Sequence, residues 1–111
     1  MITTWSLFRV ECPTEFVNGP DGSLWLKNQT WTKIIERIGE DSHLELRKLA
    51  NSLCSKEQRE GNTSMTCRFD LSIEKYDRDF RTAFSEPFEK MVDGKSVSVM
   101  VQFILQPRFV P

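Results

Sequence analysis

Two stretches of this chain alternate apolar and polar residues one for one, and only a β-strand has that period. In 64–76, Met65, Cys67, Phe69, Leu71 and Ile73 alternate with Thr66, Arg68, Asp70, Ser72 and Glu74. In 95–106 the main apolar set is Val97, Val99, Val101, Phe103 and Leu105. One apolar face and one polar face point to an antiparallel sheet, because strands of a parallel sheet are covered on both sides. A third strand is read over 4–12. There Trp5, Leu7, Phe8, Val10 and Cys12 are separated by Ser6, Arg9 and Glu11, with a slip in the alternation at Leu7-Phe8. Pro13 then removes a ladder donor. Asn18-Gly19-Pro20-Asp21-Gly22 is the densest turn signal, and it predicts a hairpin between 15–17 and 23–26.

Helical spacing occupies the intervals. Trp31, Ile34, Ile35 and Ile38 lie at i, i+3, i+4 and i+7, which predicts a helix capped by Thr30 or Asn28 and stopped by Gly39. Ser42 and Glu45 have capping-box spacing before a second stripe of Leu46, Leu49, Ala50 and Leu53, widened by Leu44. After the 64–76 strand, Asp77 is placed to cap a short helix with Phe80, Ala83 and Phe84 inward. Pro87 restarts it with Phe88, Met91 and Val92 inward, and Gly94 is the stop. The expected class is α+β: an antiparallel β-sheet with two to four helices packed on one face. Residues 1–111 form a single domain, with 107–111 a loose extended tail.

Composition removes several function classes. The 111 residues suit one domain, and 39% hydrophobic content with a net charge of −1 argues against disorder. Fifteen basic and sixteen acidic residues are mixed along the chain, so no global field steers it to nucleic acid or anionic lipid. No apolar run is long enough to span a bilayer, and Met-Ile-Thr-Thr-Trp has neither the basic nor the apolar region of a signal peptide. The expected location is therefore cytoplasmic. On that reading Asn28-Gln29-Thr30 and Asn62-Thr63-Ser64 are chance glycosylation triplets. Cys12, Cys54 and Cys67 form no paired motif and are expected to be reduced.

No catalytic or metal constellation stands out. His43 is the only histidine, and its place in the first turn of a helix suits a surface residue better than a base for Cys54 or Cys67. The carboxylate pairs Asp77/Asp79 and Glu86/Glu89 fall at expected helix starts, where acids complement the dipole. Phosphate-cradling glycine loops are missing from the sequence. The expectation is a non-enzyme with no cofactor and no metal.

Two surfaces are candidates for binding. On the minor face of the last strand, Ser96 and Ser98 give way to Met100, Gln102 and Ile104. Large apolar residues there need cover from another part of the same chain, from a central place in the sheet with helices on both sides, or from a second subunit. The third option makes Met100, Gln102 and Ile104 an interface with a protein partner or with another copy in a homo-oligomer. Alternatively, Trp5, Arg9, Trp25 and Lys27 place aromatic and basic residues near one another, a weak version of a single-strand nucleic-acid platform. The expected function is a non-enzymatic, self-associating interaction or assembly domain. The alternative is a nucleic-acid-binding module.

The segment Asp77-Arg78-Asp79-Phe80-Arg81-Thr82-Ala83-Phe84-Ser85, following an alternating strand, resembles a strand-to-helix segment of vesiculovirus-type matrix proteins. It covers a small share of the chain, which lacks that family's basic, proline-rich N-terminal arm. The resemblance implies a small viral or phage-type assembly or host-interaction protein, and no residue role is carried over from it.

Overall fold

The longest pairing joins the two ends of the chain. In the computed structural model, which describes residues 2–17, 27–59, 69–70 and 79–111, strand β1 (Ile2–Pro13) runs antiparallel to β6 (Lys95–Val110). Their register extends without a break from Ile2↔Val110 to Pro13↔Val99. The tail expected to be loose is thus ladder as far as Val110, with Pro107 set opposite Trp5. Between the two ends lie α1 (Thr14–Val17), β2 (Thr30–Ile38), α2 (Ser42–Arg59), β3 (Phe69–Asp70), β4 (Phe80–Thr82) and β5 (Phe88–Val92). The described strands form one antiparallel sheet in the order β2-β1-β6-β4-β3, with β5 also on β6.

This is the α+β, antiparallel arrangement expected, but among the described residues fewer of the segments read as helical are helices. Residues 31–38 are strand β2, not a helix. The segment 80–82 is strand β4, so the helical half of the matrix-protein resemblance is absent there. The expected helix at 88–92 is strand β5, which leaves Met91 and Val92 exposed rather than inward. Asp93-Gly94 joins β5 to β6 as a two-residue turn, with φ of 51° and 77°. Both residues have positive φ, the geometry that Asp-Gly adopts in a tight hairpin and that matches the strand twist. Residues 15–17, expected as a hairpin arm, lie in the short helix α1. The other arm, and all of the 64–76 strand except Phe69–Asp70, fall outside the described residues.

Helix α2 forms where its stripe predicts. Leu46, Ala50 and Cys54, four residues apart, are buried against Trp5, Leu7, Val101, Phe103 and Leu105 of the two long strands. Ile34, Ile35, Leu49, Leu53, Phe80 and Phe88 surround this cluster and are partly exposed, whereas Leu44 is open to solvent. The capping box does not close. The Ser42 hydroxyl donates to the Ile38 carbonyl (3.0 Å), and Glu45 reaches Arg37 (3.7 Å). Gly39, at φ +127°, turns the chain from β2 towards α2, and its N–H donates to the Thr3 carbonyl (2.8 Å). A Cβ there would lie 3.0 Å from the Ser42 hydroxyl, a second reason for glycine.

Five consecutive β6 residues, Val101 to Leu105, are buried, so this strand has no wet face along that stretch. It lies inside the sheet, between β1 and β4. A central strand covered on both sides drops the alternation expected of a half-solvated one.

Candidate interaction surface

Of the residues singled out for nucleic-acid contact, the structure describes Trp5, Arg9 and Lys27. Trp5 is 7% exposed. Its ring stacks on Phe80 (5.5 Å between centroids) and tilts against His43 (5.2 Å), and its indole N–H donates to the Glu40 carbonyl (2.9 Å). That is core packing with its polar atom satisfied. Arg47 lies over the other aromatic of the group, 4.4 Å from the Phe80 centroid. Arg9 pairs with Glu11 (3.0 Å), which also receives Lys90 from β5 (2.8 Å). Lys27 is exposed, and Trp25 lies outside the described residues.

The Arg9–Glu11–Lys90 network ties β5 to β1 across β6. Burial alone would raise the Glu11 carboxyl, but hydrogen bonds and charge from Lys90 and Arg9 outweigh it and hold the group below its ordinary 4.5. A lowered carboxylate stabilises the fold above its unfolded-state value and loses that contribution as pH falls through its folded value. Half of the Lys90 side chain is exposed, which limits the size of the effect. Glu11→Gln should therefore cost about 1 kcal/mol at pH 7. The gap between parent and variant in urea melts should narrow as pH falls from neutral through the carboxylate range. A gap that stays constant over that range would remove Glu11 as its source.

The groups considered for catalysis are placed for other work. His43 is half-buried beside the stacked rings of Trp5 and Phe80. Its pKa is lowered by burial first and by the Arg47 charge second, against a smaller opposing effect of Asp41. Cys12 is a buried free thiol whose pKa burial raises, which makes it a poor nucleophile. Cys54 is disulfide-bonded, which corrects the expectation of three reduced cysteines; Cys67 lies outside the described residues. Among the described residues, no three His, Cys, Asp or Glu side chains are grouped to hold a metal, and no helix is long and apolar enough to cross a membrane.

The minor face of β6 is mostly filled from within. Ile104 is fully buried, Gln102 is 6% exposed and donates to the Thr82 carbonyl (2.8 Å), and Met100 is half-buried. Gln102 and Ile104 are thus covered within the chain itself.

Exposed apolar surface lies elsewhere, at the sheet margin. Among the described residues strand β2 ends the sheet order, and seven of its nine residues are exposed. Ile38 is 76% and Trp31 38% exposed, with Leu44 nearby in sequence at the start of α2. One face of β2 carries Trp31, set edge-on to Phe8 (5.2 Å), and Lys33, 5.9 Å above the same ring. The other face carries Ile34 and Ile35 into the core under α2. The ladder with β1 shifts register between Leu7 and Phe8, and Ile34 is the extra residue. It is a β-bulge, the device that bends a strand and puts two neighbouring side chains on one side. Sequence reasoning missed this edge because it read the segment as a helix.

No family model, curated protein or solved structure matches this chain.

Proposed function

We propose that this chain is a non-enzymatic interaction or assembly domain that associates with itself through the β2 edge. One observation carries the reading: nine residues of strand, most of them solvent-exposed and flanked by Trp31 and Ile38, present a row of backbone donors and acceptors that no other strand among the described residues shares. Such an edge is a template for another strand, and proteins that have no use for it keep it short or covered. Strand addition draws affinity from main-chain hydrogen bonds and specificity from side chains on alternate faces. The nucleic-acid reading lacks comparable support, with Trp5 in the core and Arg9 engaged by Glu11.

Light scattering on the size-exclusion eluate, over a concentration series, tests this. The mass should rise from one copy towards a discrete assembly as concentration increases. A single-copy mass at every concentration would refute self-association. A mobility shift with single-stranded nucleic acid that weakens with salt would favour the nucleic-acid reading instead.

A further inference from the structure

We infer that the partner at the β2 edge is a second copy of the same strand, docked antiparallel about a two-fold axis that passes between Ile34 and Ile35. This rests on the self-association reading above and adds a register to it. In an antiparallel pair, directly opposed residues share a face of the sheet. An ordinary strand alternates faces and offers several equivalent two-fold registers. The bulge removes that freedom.

Backwards from the bulge, Ile34 faces the helix side, Lys33 the far side, Thr32 the helix side and Trp31 the far side. These assignments follow from the pairing with β1, the contact of both Lys33 and Trp31 with Phe8, and the packing of Ile34 in the core. Forwards, Ile35 faces the helix side, Glu36 the far side, Arg37 the helix side and Ile38 the far side. Ile35 packs in the core, and Arg37 pairs with Glu45 of α2. The two sequences of faces are the same. Only a two-fold centred on the bulge keeps every opposed pair on one face, and sliding by a residue sets opposed side chains on opposite faces.

In that register the chemistry is complementary at each position. Ile34 meets Ile35 of the second copy. Lys33 meets Glu36 of the second copy, and Trp31 meets its Ile38. Thr32 meets Arg37 of the second copy. The lysine and glutamate also pair within the chain (3.5 Å, side chains 51% and 42% exposed), so the dimer would gather two lysines and two glutamates into one alternating cluster. The exposed tryptophan and isoleucine would cover each other on the same face, at both ends of the joint. A two-fold interface repeats each contact, so one substitution acts twice.

Charge reversal tests both the occupant and the register. Lys33→Glu alone places glutamates opposite glutamates, and Glu36→Lys alone places lysines opposite lysines. Each variant should weaken the dimer roughly tenfold to a hundredfold, since each change acts at two sites. An equimolar mixture of the two variants should associate again, as a heterodimer with both cross-strand charge contacts restored. The doubly reversed chain should also recover as a homodimer. Both side chains are at the surface, and circular dichroism should show each variant folded. Restoration in the mixture is the supporting result. If the parent dimerises and both single variants do so equally well, the register is overturned while self-association stands. A parent that remains single at every concentration overturns both. Single variants that fail to recover when mixed also refute the register.

Discussion

Replacing Phe103 by alanine should destabilise the fold by about 3–5 kcal/mol, a large fraction of the roughly 5–15 kcal/mol that holds a small domain together. Phe103 has no solvent exposure and belongs to the cluster of Trp5, Leu7, Val101, Leu105, Leu46 and Ala50. It sits in the run of five buried residues on β6, between β1 and β4, so the sheet around it has little room to close over a void. Truncation therefore loses both the transfer free energy of the ring and the contacts of its lining. Spacing in the sequence points elsewhere, to Ile35 and Leu49 at the centres of two apolar stripes. Both are only half-buried, and their truncation should cost less, about 1–2 kcal/mol each. Urea melts of the three variants, compared at unchanged slope, decide between the rankings. A smaller loss for Phe103→Ala than for Ile35→Ala would mean that the core is centred nearer the sheet edge.

The helix reading of 31–38 failed for an instructive reason. A bulge puts Ile34 and Ile35 on one face of β2 and leaves Trp31 and Ile38 on the other. With all four residues apolar, the spacing i, i+3, i+4, i+7 imitates a helical stripe. The branching of the side chains was the better guide. Thr30, Thr32, Ile34, Ile35 and Ile38 are branched at Cβ, which favours a pleated strand. Asp93-Gly94 is likewise legible as a hairpin turn, although the glycine taken by itself suggests a helix stop. The slip noted at Leu7-Phe8 did mark the point where the β1–β2 register shifts. Helix α2 and the two terminal strands were readable because each repeats an apolar face over many residues, despite the slip at Leu7-Phe8 and the filled second face of Val101 to Leu105. The edge surface was hidden because it exists only once β2 is known to be a strand at the end of the sheet. The Lys33–Glu36 symmetry then depends on the position of the bulge, which one-strand periodicity does not report.

The other large effect is expected where β4 and β5 fail to complete the ladder along β6. Residues 83–87 leave the strand, and Pro87 has no N–H to contribute. Buried backbone groups of β6 opposite this gap still need partners. Two hydroxyls supply them: Phe103 donates its N–H to Thr82 Oγ1 (3.0 Å), and Val101 donates to Ser85 Oγ (2.9 Å). The Ser85 N–H returns a bond to the Val101 carbonyl (2.7 Å). Thr82 and Ser85 are each 1% exposed, so water does not replace a lost oxygen without rearrangement. Thr82→Val keeps the side-chain shape and removes the acceptor, and Ser85→Ala does the same with a smaller change of volume. Each should cost about 1–3 kcal/mol, the range for a buried donor left without a partner. The orphaned donors lie two residues apart on one strand, so the double variant should depart from the sum of the two singles. Amide hydrogen exchange adds a local readout. Thr82→Val should lower protection chiefly at Phe103 and Ser85→Ala chiefly at Val101, beyond any global loss seen at Leu7. Unchanged unfolding midpoints in both variants would show that the backbone shifts to pair these amides without the hydroxyls, and that the gap between β4 and β5 is not closed by side chains.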